Sequence, residues 1–552
     1  MNQPNEPWWH GTSIYQVYPR SFADSDGDGI GDLRGIIDRL DHIAALGVQT
    51  LWVSPFFPSP QEDFGYDITD YTGVGQEYGT LSDAEELIGA AHSRGMRVMF
   101  DLVLNHTSDQ HPWFLRSKGS RDNPKSDWYI WADGCGRDGR RPPNNWRSAL
   151  EVNSAWQWCP ERGQFYMATF LPFQPDLNYR NPEVKDAMFD VVRFWLDRGV
   201  DGFRLDIFGQ IMKDPQFRDN PLSPHVVNGF PQGWRRQYTE NTADNIDFAR
   251  ELHDVCAEYG DRILLGEVFG PPEVLRAYHA DGAGLDLVFL FDFLRYRYDA
   301  NWFTETIRRF EQAFPPPMQP TYVLENHDRS RTIDRVGGDP AKAAVLAVIL
   351  LSVRGVPTIY MGQEIGMSNT YIPLDDALDP VASRFFRRLP EFVNRRLRER
   401  LNRDEVRTPM QWDGGPNAGF CPPGVRPWLP VNPDHVTVNV ADETADPDSL
   451  LALYRTLSRV RRASAALHRG TLDLIPGLPE GVLGYRRTDP ASGEQCATFA
   501  NLGRREQEVR PISSTLLTGC GGATLDGELI RLPPDSAIIV RRTSSQRSAA
   551  GH

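Results

Sequence analysis

Apolar residues in the first hundred positions switch between two periods. SIYQVYP (13–19) alternates with period two, as a strand does, and LRGIIDRLDHIAALG (33–47) carries helical apolar spacing up to a Gly stop. VQTLWVSPFF (48–57) predicts a second strand, LSDAEELIGAAHSRG (81–95) a helix, and RVMFDLVLNH (97–106) a third strand. The rhythm stops after His106. Residues 107–175 are rich in Trp, Asn, Asp, Gly and Pro and too long for a plain loop, so they predict an inserted subdomain. It resumes with a helix over 182–199 and strands over 200–208, 262–269, 285–293, 320–328 and 355–362. Eight strands, each leading to a helix or long loop, predict an α/β fold, a (β/α)8 TIM barrel. After about 475 the chain changes to short alternating runs such as VLGYRRT, QCATFANLG and SAIIVRRTS, separated by Gly, Pro and Asp. The expected division is a barrel over 1–106 and 176–474, an insertion over 107–175, and a C-terminal antiparallel β-sandwich over 475–552. Residues 543–552 read as disordered, and the Arg-rich 384–400 as a solvated helical region near the pocket.

Charge and composition exclude several classes. The net charge of −15 argues against nucleic acid and anionic membranes as partners. No run approaches the ~20 apolar residues that span a bilayer, and no secretory signal is visible at the N-terminus. The six cysteines are scattered without a CxxC pair, which predicts reduced thiols and a cytoplasmic protein. Monomer and dimer both remain open.

The chemistry is sought where a barrel keeps it, at the C-terminal strand ends. Those ends are acidic. Asp101 with Asn105 and His106 closes strand three, Arg204 and Asp206 strand four, Glu267 strand five, and His327 and Asp328 strand seven. Each acid alone suits a helix cap or a buried structural role. Several carboxyls around one mouth cost desolvation and are tolerated where the charges act. Glycosidic bond cleavage needs such a set, one carboxylate attacking the anomeric carbon and one carboxylic acid protonating the leaving oxygen. Arg204 stands two residues before Asp206, on the same side of the strand, and is expected to keep Asp206 ionised.

DLVLNH (101–106), GFRLDIF (202–208), GEVF (266–269) and ENHDRSR (325–331) resemble the four motifs of the α-amylase family of glycoside hydrolases (family 13). QPDLN (174–178), GYDITDY (65–71), RTPMQWD (407–413) and YPRSFADSDGDGIGDLRGI resemble its oligo-1,6-glucosidase and α-glucosidase subgroup. The likeness covers nearly the whole chain. It implies Asp206 as nucleophile, Glu267 as acid/base and Asp328 as the third acid. It further implies Arg204, His106 and His327 around the bound glucose, Tyr66 as a stacking platform, and Asp63 with Arg407 as the pair closing the pocket floor, with Arg403 close by. The implied activity is that of a retaining, exo-acting α-glucosidase on short α-glucosides, with transglucosylation as a side reaction. A sugar isomerase or glucosyltransferase on the same scaffold is the alternative. Ile207 after the nucleophile resembles the Val associated with α-1,6 linkages, whereas GEVFGPPEVLRAYH leans towards α-1,4.

DSDGDGIGDL (24–33) reads like an EF-hand loop, with Asp24, Asp26, Asp28, the Ile30 carbonyl and Asp32 at positions 1, 3, 5, 7 and 9, and Gly29 at 6. Position 12 is Gly35 rather than Glu, so no second helix is drawn in. The expectation is a structural Ca2+, with Mg2+ as the alternative, pinning the connection after strand one.

Overall fold

The computed structural model describes residues 7–150, 153–223, 226–227, 230–231, 234–385, 402–511 and 513–543. The Arg-rich stretch from 386 and the tail from 544 lie outside the described residues. Eight parallel strands close into a barrel: β1 (Ile14–Val17), β2 (Thr50–Val53), β3 (Arg97–Leu102), β4 (Gly202–Leu205), β5 (Ile263–Gly266), β6 (Leu287–Leu290), β7 (Thr321–Val323) and β8 (Val356–Tyr360). Each pairs with its sequence neighbour, and β8 returns to β1. All eight lie inside the predicted runs, but they end earlier. The residues past each end, such as 103–106 and 206–208, leave the sheet and carry the polar groups to the mouth.

Strand periodicity sorts the core into two. Ile14, Trp52, Met99, Ile263, Leu265, Leu287, Phe289, Val323 and Val356 fill the barrel interior, closed below by Trp8 and Trp9. The alternate residues, such as Tyr15, Val17, Leu51 and Phe203, pack outward against the helices. The helix predicted over 33–47 is two, Leu33–Asp38 and Leu40–Leu46, parted at Arg39, whose guanidinium lies 4.5 Å over the Trp412 ring.

Between β3 and β4 the insertion forms a helix, Pro112–Gly119, and a small sheet in the order Trp131–Ala132, Gln164–Met167, Trp156–Cys159. It returns to the barrel through an antiparallel bridge between His106 and Asp176. The C-terminal region is a five-stranded and a three-stranded antiparallel sheet around Val482, Phe499, Val509, Ile530, Leu532, Ile538 and Val540. Its first strand, Thr471–Leu474, pairs with Val482–Thr488, so this β region begins slightly before 475. Among the described residues no helix is long and apolar enough to cross a membrane.

Gly202 opens β4 because a side chain there has no room: a Cβ would sit 2.1 Å from the Ile263 carbonyl oxygen. Gly202→Ala therefore pushes β4 from β5 and is expected to cost about 1–3 kcal/mol, read as a lower midpoint of urea unfolding. An unchanged midpoint would show that the two strands yield freely here.

Candidate active site

Arg204 points into the barrel mouth from β4, directly opposite Asp101 in the β3–β4 register. Its side chain is 2% exposed. Nη1 donates to Asp101 at 2.9 and 3.0 Å and to Asp206 at 2.9 Å, and Nη2 donates to Glu267. Three carboxyls thus share one guanidinium. Arg204 lowers the Asp206 pKa, in the direction expected, but it is not the largest influence there. Burial pushes the Asp206 carboxyl up, Arg204 opposes, and the charges of Glu267 and Asp101 add to the rise. Burial likewise pushes Asp101 up to about 6 against Arg204.

Asp206 is followed by a strained residue. Ile207 has φ 37° and ψ 42°, left-handed values that a β-branched side chain rarely adopts. Its N–H donates to Glu267 at 3.2 Å, which ties the turn after β4 to the acid after β5.

Asp328 is the more open acid, its side chain 32% exposed against 10% for Asp206 and 9% for Glu267. Burial opposes its charge, yet His327, Arg407 and Arg403 hold its carboxyl well below the usual range. Arg407 donates to it at 2.7 Å, and Arg403 lies 3.6 Å away. His327 itself is held neutral, its pKa pushed down to about 3 by burial. The arginines therefore supply the attraction at neutral pH. The His327 ring is stacked between Tyr66 and Tyr18 at 5.5 and 5.8 Å. Gln16 lies 2.8 Å from its Nδ1, and the Tyr66 hydroxyl lies 2.8 Å from its Nε2 and 3.2 Å from Asp101. With Gln16 donating, the proton sits on Nε2, and Tyr66 passes its own on to Asp101.

The structure brings Asp63, Tyr66, His106, Arg204, Asp206, Glu267, His327, Asp328 and Arg407 to this mouth, with one change of pairing. Asp63 bonds to Arg403 at 2.8 Å, not to Arg407, and also accepts from Gln174 at 2.9 Å. Arg403 is clamped from behind by Asp379 at 2.7 Å, while Arg407, fully buried, bonds Asp328 and the His327 carbonyl. The turn Arg403–Val406 sets the hydrogen bonds of Arg403 on Asp63 and Asp379 and those of Arg407 on Asp328 and the His327 carbonyl. Spacing could not decide this; Gln174 was visible in QPDLN, but Asp379 carried no signal. Beyond Glu267 and Asp328 a pocket continues outward, lined by Phe269, Phe291, Arg295 and Arg329. A larger hollow on the insertion helix, lined by Leu115, Arg116, Asn123 and Lys125, contains none of these acids.

The acidic loop is built differently from its sequence reading. Carboxylate oxygens of Asp24, Asp26 and Asp28 converge within 4.8 Å of one another. Asp32 is not in that trio. It caps the helix Leu33–Asp38, accepting from Gly35 N–H at 2.7 Å and from the Ser25 N–H and hydroxyl at 2.7 and 2.9 Å. The Ile30 N–H donates to Asp28 at 2.7 Å. Burial, with the charges of Asp26, Asp24 and Asp32, pushes the Asp28 carboxyl up, a repulsion that a cation relieves. Gly29, at φ 90°, meets the Arg426 carbonyl so closely that a Cβ would stand 2.2 Å from it.

The family model for the α-amylase catalytic domain matches residues 16–470. The chain belongs to the α-amylase family. This α-amylase-family chain is 41% identical over 489 residues to a probable α-glucosidase of Rhizobium meliloti (strain 1021), covering 86% of each. It is 36% identical to an oligo-1,6-glucosidase of Parageobacillus thermoglucosidasius, covering 90% or more of both (91% of this chain and 92% of the relative). A crystal structure of an α-glucosyl transfer enzyme superposes with a TM-score of 0.89 at 37% identity, over 98% of this chain and 100% of that one.

Asp101→Asn removes one of the two charges that push Asp206 up. A group with a raised pKa loses its ionised form as pH falls through that pKa. Lowering the pKa of Asp206 therefore moves the acidic limb of kcat/KM to lower pH. An acidic limb that stays in place or moves up would show that the Asp206 proton is not governed by this shared guanidinium.

Proposed function

We propose that the protein is a retaining, exo-acting α-glucosidase that releases glucose from the non-reducing end of short α-glucosides of the maltose or isomaltose type. One observation carries the mechanism: Asp206 and Glu267 sit on the two terminal nitrogens of a single guanidinium, with Asp328 open to the pocket beside them. Retaining enzymes keep their carboxyls about 5–5.5 Å apart, a spacing that one bridging guanidinium supports. The relatives named α-glucosidase and oligo-1,6-glucosidase support the substrate class.

In this reading Asp206 attacks the anomeric carbon while Glu267 gives its proton to the departing oxygen. A covalent glucosyl ester forms on Asp206. Glu267, now a carboxylate, takes a proton from water, which attacks the anomeric carbon and restores Asp206 with configuration retained. Asp328, held ionised by Arg407 and Arg403, accepts hydrogen bonds from the sugar hydroxyls. His106 and His327 flank the same glucose, and Tyr66 gives it a flat wall. The Asp63–Arg403 pair, with Gln174, closes the floor and favours cleavage at a chain end. A cytoplasmic setting, in which the six unpaired cysteines would stay as thiols, is part of this reading.

Transfer to a second hydroxyl is the second reading, as side activity or main one. It is favoured by the outward pocket with its Phe269 and Phe291 walls and by the likeness to an α-glucosyl transfer enzyme. Products formed from maltose and isomaltose separate the two. Glucose alone supports hydrolysis; trehalose, an isomerised disaccharide or longer oligosaccharides as main products would overturn it. Asp206→Asn is expected to lower kcat by about 10⁴-fold or more with folding intact by circular dichroism, and a variant with near wild-type turnover would sink the mechanism.

We further propose that Asp24, Asp26 and Asp28, with the Ile30 carbonyl, hold a Ca2+, or a Mg2+ in its place, as a structural clip, with Asp32 left to cap the helix that follows. What supports this is the convergence of the three carboxylates and the rise in Asp28. The ion would offset their repulsion and fix the turn after β1. At a concentration of 100 times its Kd, such a ligand adds about 2.7 kcal/mol. Chelation should therefore lower Tm, and added Ca2+ should restore it, with little change in turnover at low temperature. An equal Tm with and without chelator would rule out the clip.

A further inference from the structure

Lys213 lies past the turn that follows β4, and its side chain is 2% exposed. A lysine this deep is costly, and burial pushes its pKa down while Asp176 opposes. Its ammonium group is 2.6 Å from Asp176 Oδ2 and 2.6 Å from Asn105 Oδ1. These partners come from two other segments. Asn105 follows β3, and Asp176 is where the insertion returns to the barrel. Asp176 also accepts from Asn105 Nδ2 at 3.2 Å, from the Thr169 N–H at 2.9 Å and from the Thr169 hydroxyl.

The contact that matters lies one bond further on. With its oxygen held by Lys213, the Asn105 amide is fixed in orientation, and its Nδ2 faces His106 Nδ1 at 3.2 Å. Nδ1 then accepts, the ring proton sits on Nε2, and Nε2 lies 3.0 Å from the Tyr66 carbonyl. An ammonium group can only donate, so it cannot bond to Asn105 if the amide is reversed; Lys213 and Asp176 together fix the amide. The Tyr66 carbonyl, which can only accept, already places the ring proton on Nε2, and the fixed amide holds the other edge of the ring.

We infer that Lys213 is a positioning residue for the glucose subsite, which sets the ring orientation of His106 through Asn105 and locks the insertion onto the barrel mouth. This rests on the glucosidase reading, in which His106 touches the sugar. Burial lowers the His106 pKa; of the charged groups that face it, Asp176 and Asp63 raise it and Lys213 lowers it, with the Phe170 ring packed alongside. Removing the ammonium alone leaves Asp176 acting unopposed, so the His106 pKa rises.

The test compares Lys213→Met with the charge-balanced pair Lys213→Met and Asp176→Asn, using 4-nitrophenyl α-glucoside. KM, kcat and the His106 pKa, followed by NMR of its ring, are read beside Tm. The single variant should show a lower Tm and a His106 pKa moved up. The double variant should return the His106 pKa towards wild type. Its KM should stay raised by about tenfold, the equivalent of one lost orienting hydrogen bond, because nothing then fixes the Asn105 oxygen. A double variant with wild-type KM, or one that fails to fold, would overturn the inference and leave Lys213 a counter-ion for Asp176. A wild-type protein inert on every α-glucoside would instead overturn the functional reading on which this one stands.

Discussion

One buried guanidinium carries more negative charge than it can neutralise. Arg204 serves Asp101, Asp206 and Glu267 at once, with the Trp52 ring 5.2 Å from its centre. Breaking such a cluster by removing its cation would strand three carboxyls in a low-dielectric mouth, a far larger penalty than the loss of one pair. The cluster also explains how a barrel tolerates so many acids. A reaction that begins with a carboxylic acid and a carboxylate needs two carboxyls in differing environments, and Asp206 and Glu267 meet this guanidinium on separate nitrogens.

The mouth is divided electrically. On one side burial and mutual repulsion raise the pKa values of Asp206 and Asp101 against the pull of Arg204. On the other, Asp328 faces Arg407 and Arg403 and stays ionised. His327 joins the two sides without adding charge, since its ring is neutral and sandwiched between Tyr18 and Tyr66. The Tyr66 hydroxyl touches both His327 and Asp101, so the orientation of one side is passed to the other by hydrogen bonds alone. Carboxyls a few ångströms apart thus differ in how firmly they hold a proton, because each side has its own cation supply.

What could be read from the sequence follows the range of the interaction. Period-two alternation and strand-end acids are local, and they located all eight strands and the acids at their ends. The sharing of Arg204 depends on the β3–β4 register, which sets Asp101 opposite it and which no local pattern contains. Arg403 and Arg407 are four residues apart, so the chain could offer both to Asp63, and only the short turn between them decided. Asp32 had two equally local uses, ligand or helix cap, and its carboxylate is taken up by Gly35 and Ser25. Lys213, Asn105 and Asp176 are brought together by three separate segments, and a lysine beyond a strand end looks like any solvated lysine until its burial is known.

The strain at Ile207 joins these themes. A left-handed β-branched residue costs on the order of 1–3 kcal/mol, and the chain places it immediately after Asp206. A relaxed extended residue would carry the strand onward and turn its N–H away from β5. The left-handed bend instead stops β4 at Leu205, leads into the turn Phe208–Gln210, and aims the Ile207 N–H at Glu267. Glu267 is therefore held twice from β4 and its turn, by Arg204 and by Ile207, although it belongs to β5. The spacing of the two acids is set on one strand and its turn, and slight breathing between β4 and β5 would move both together.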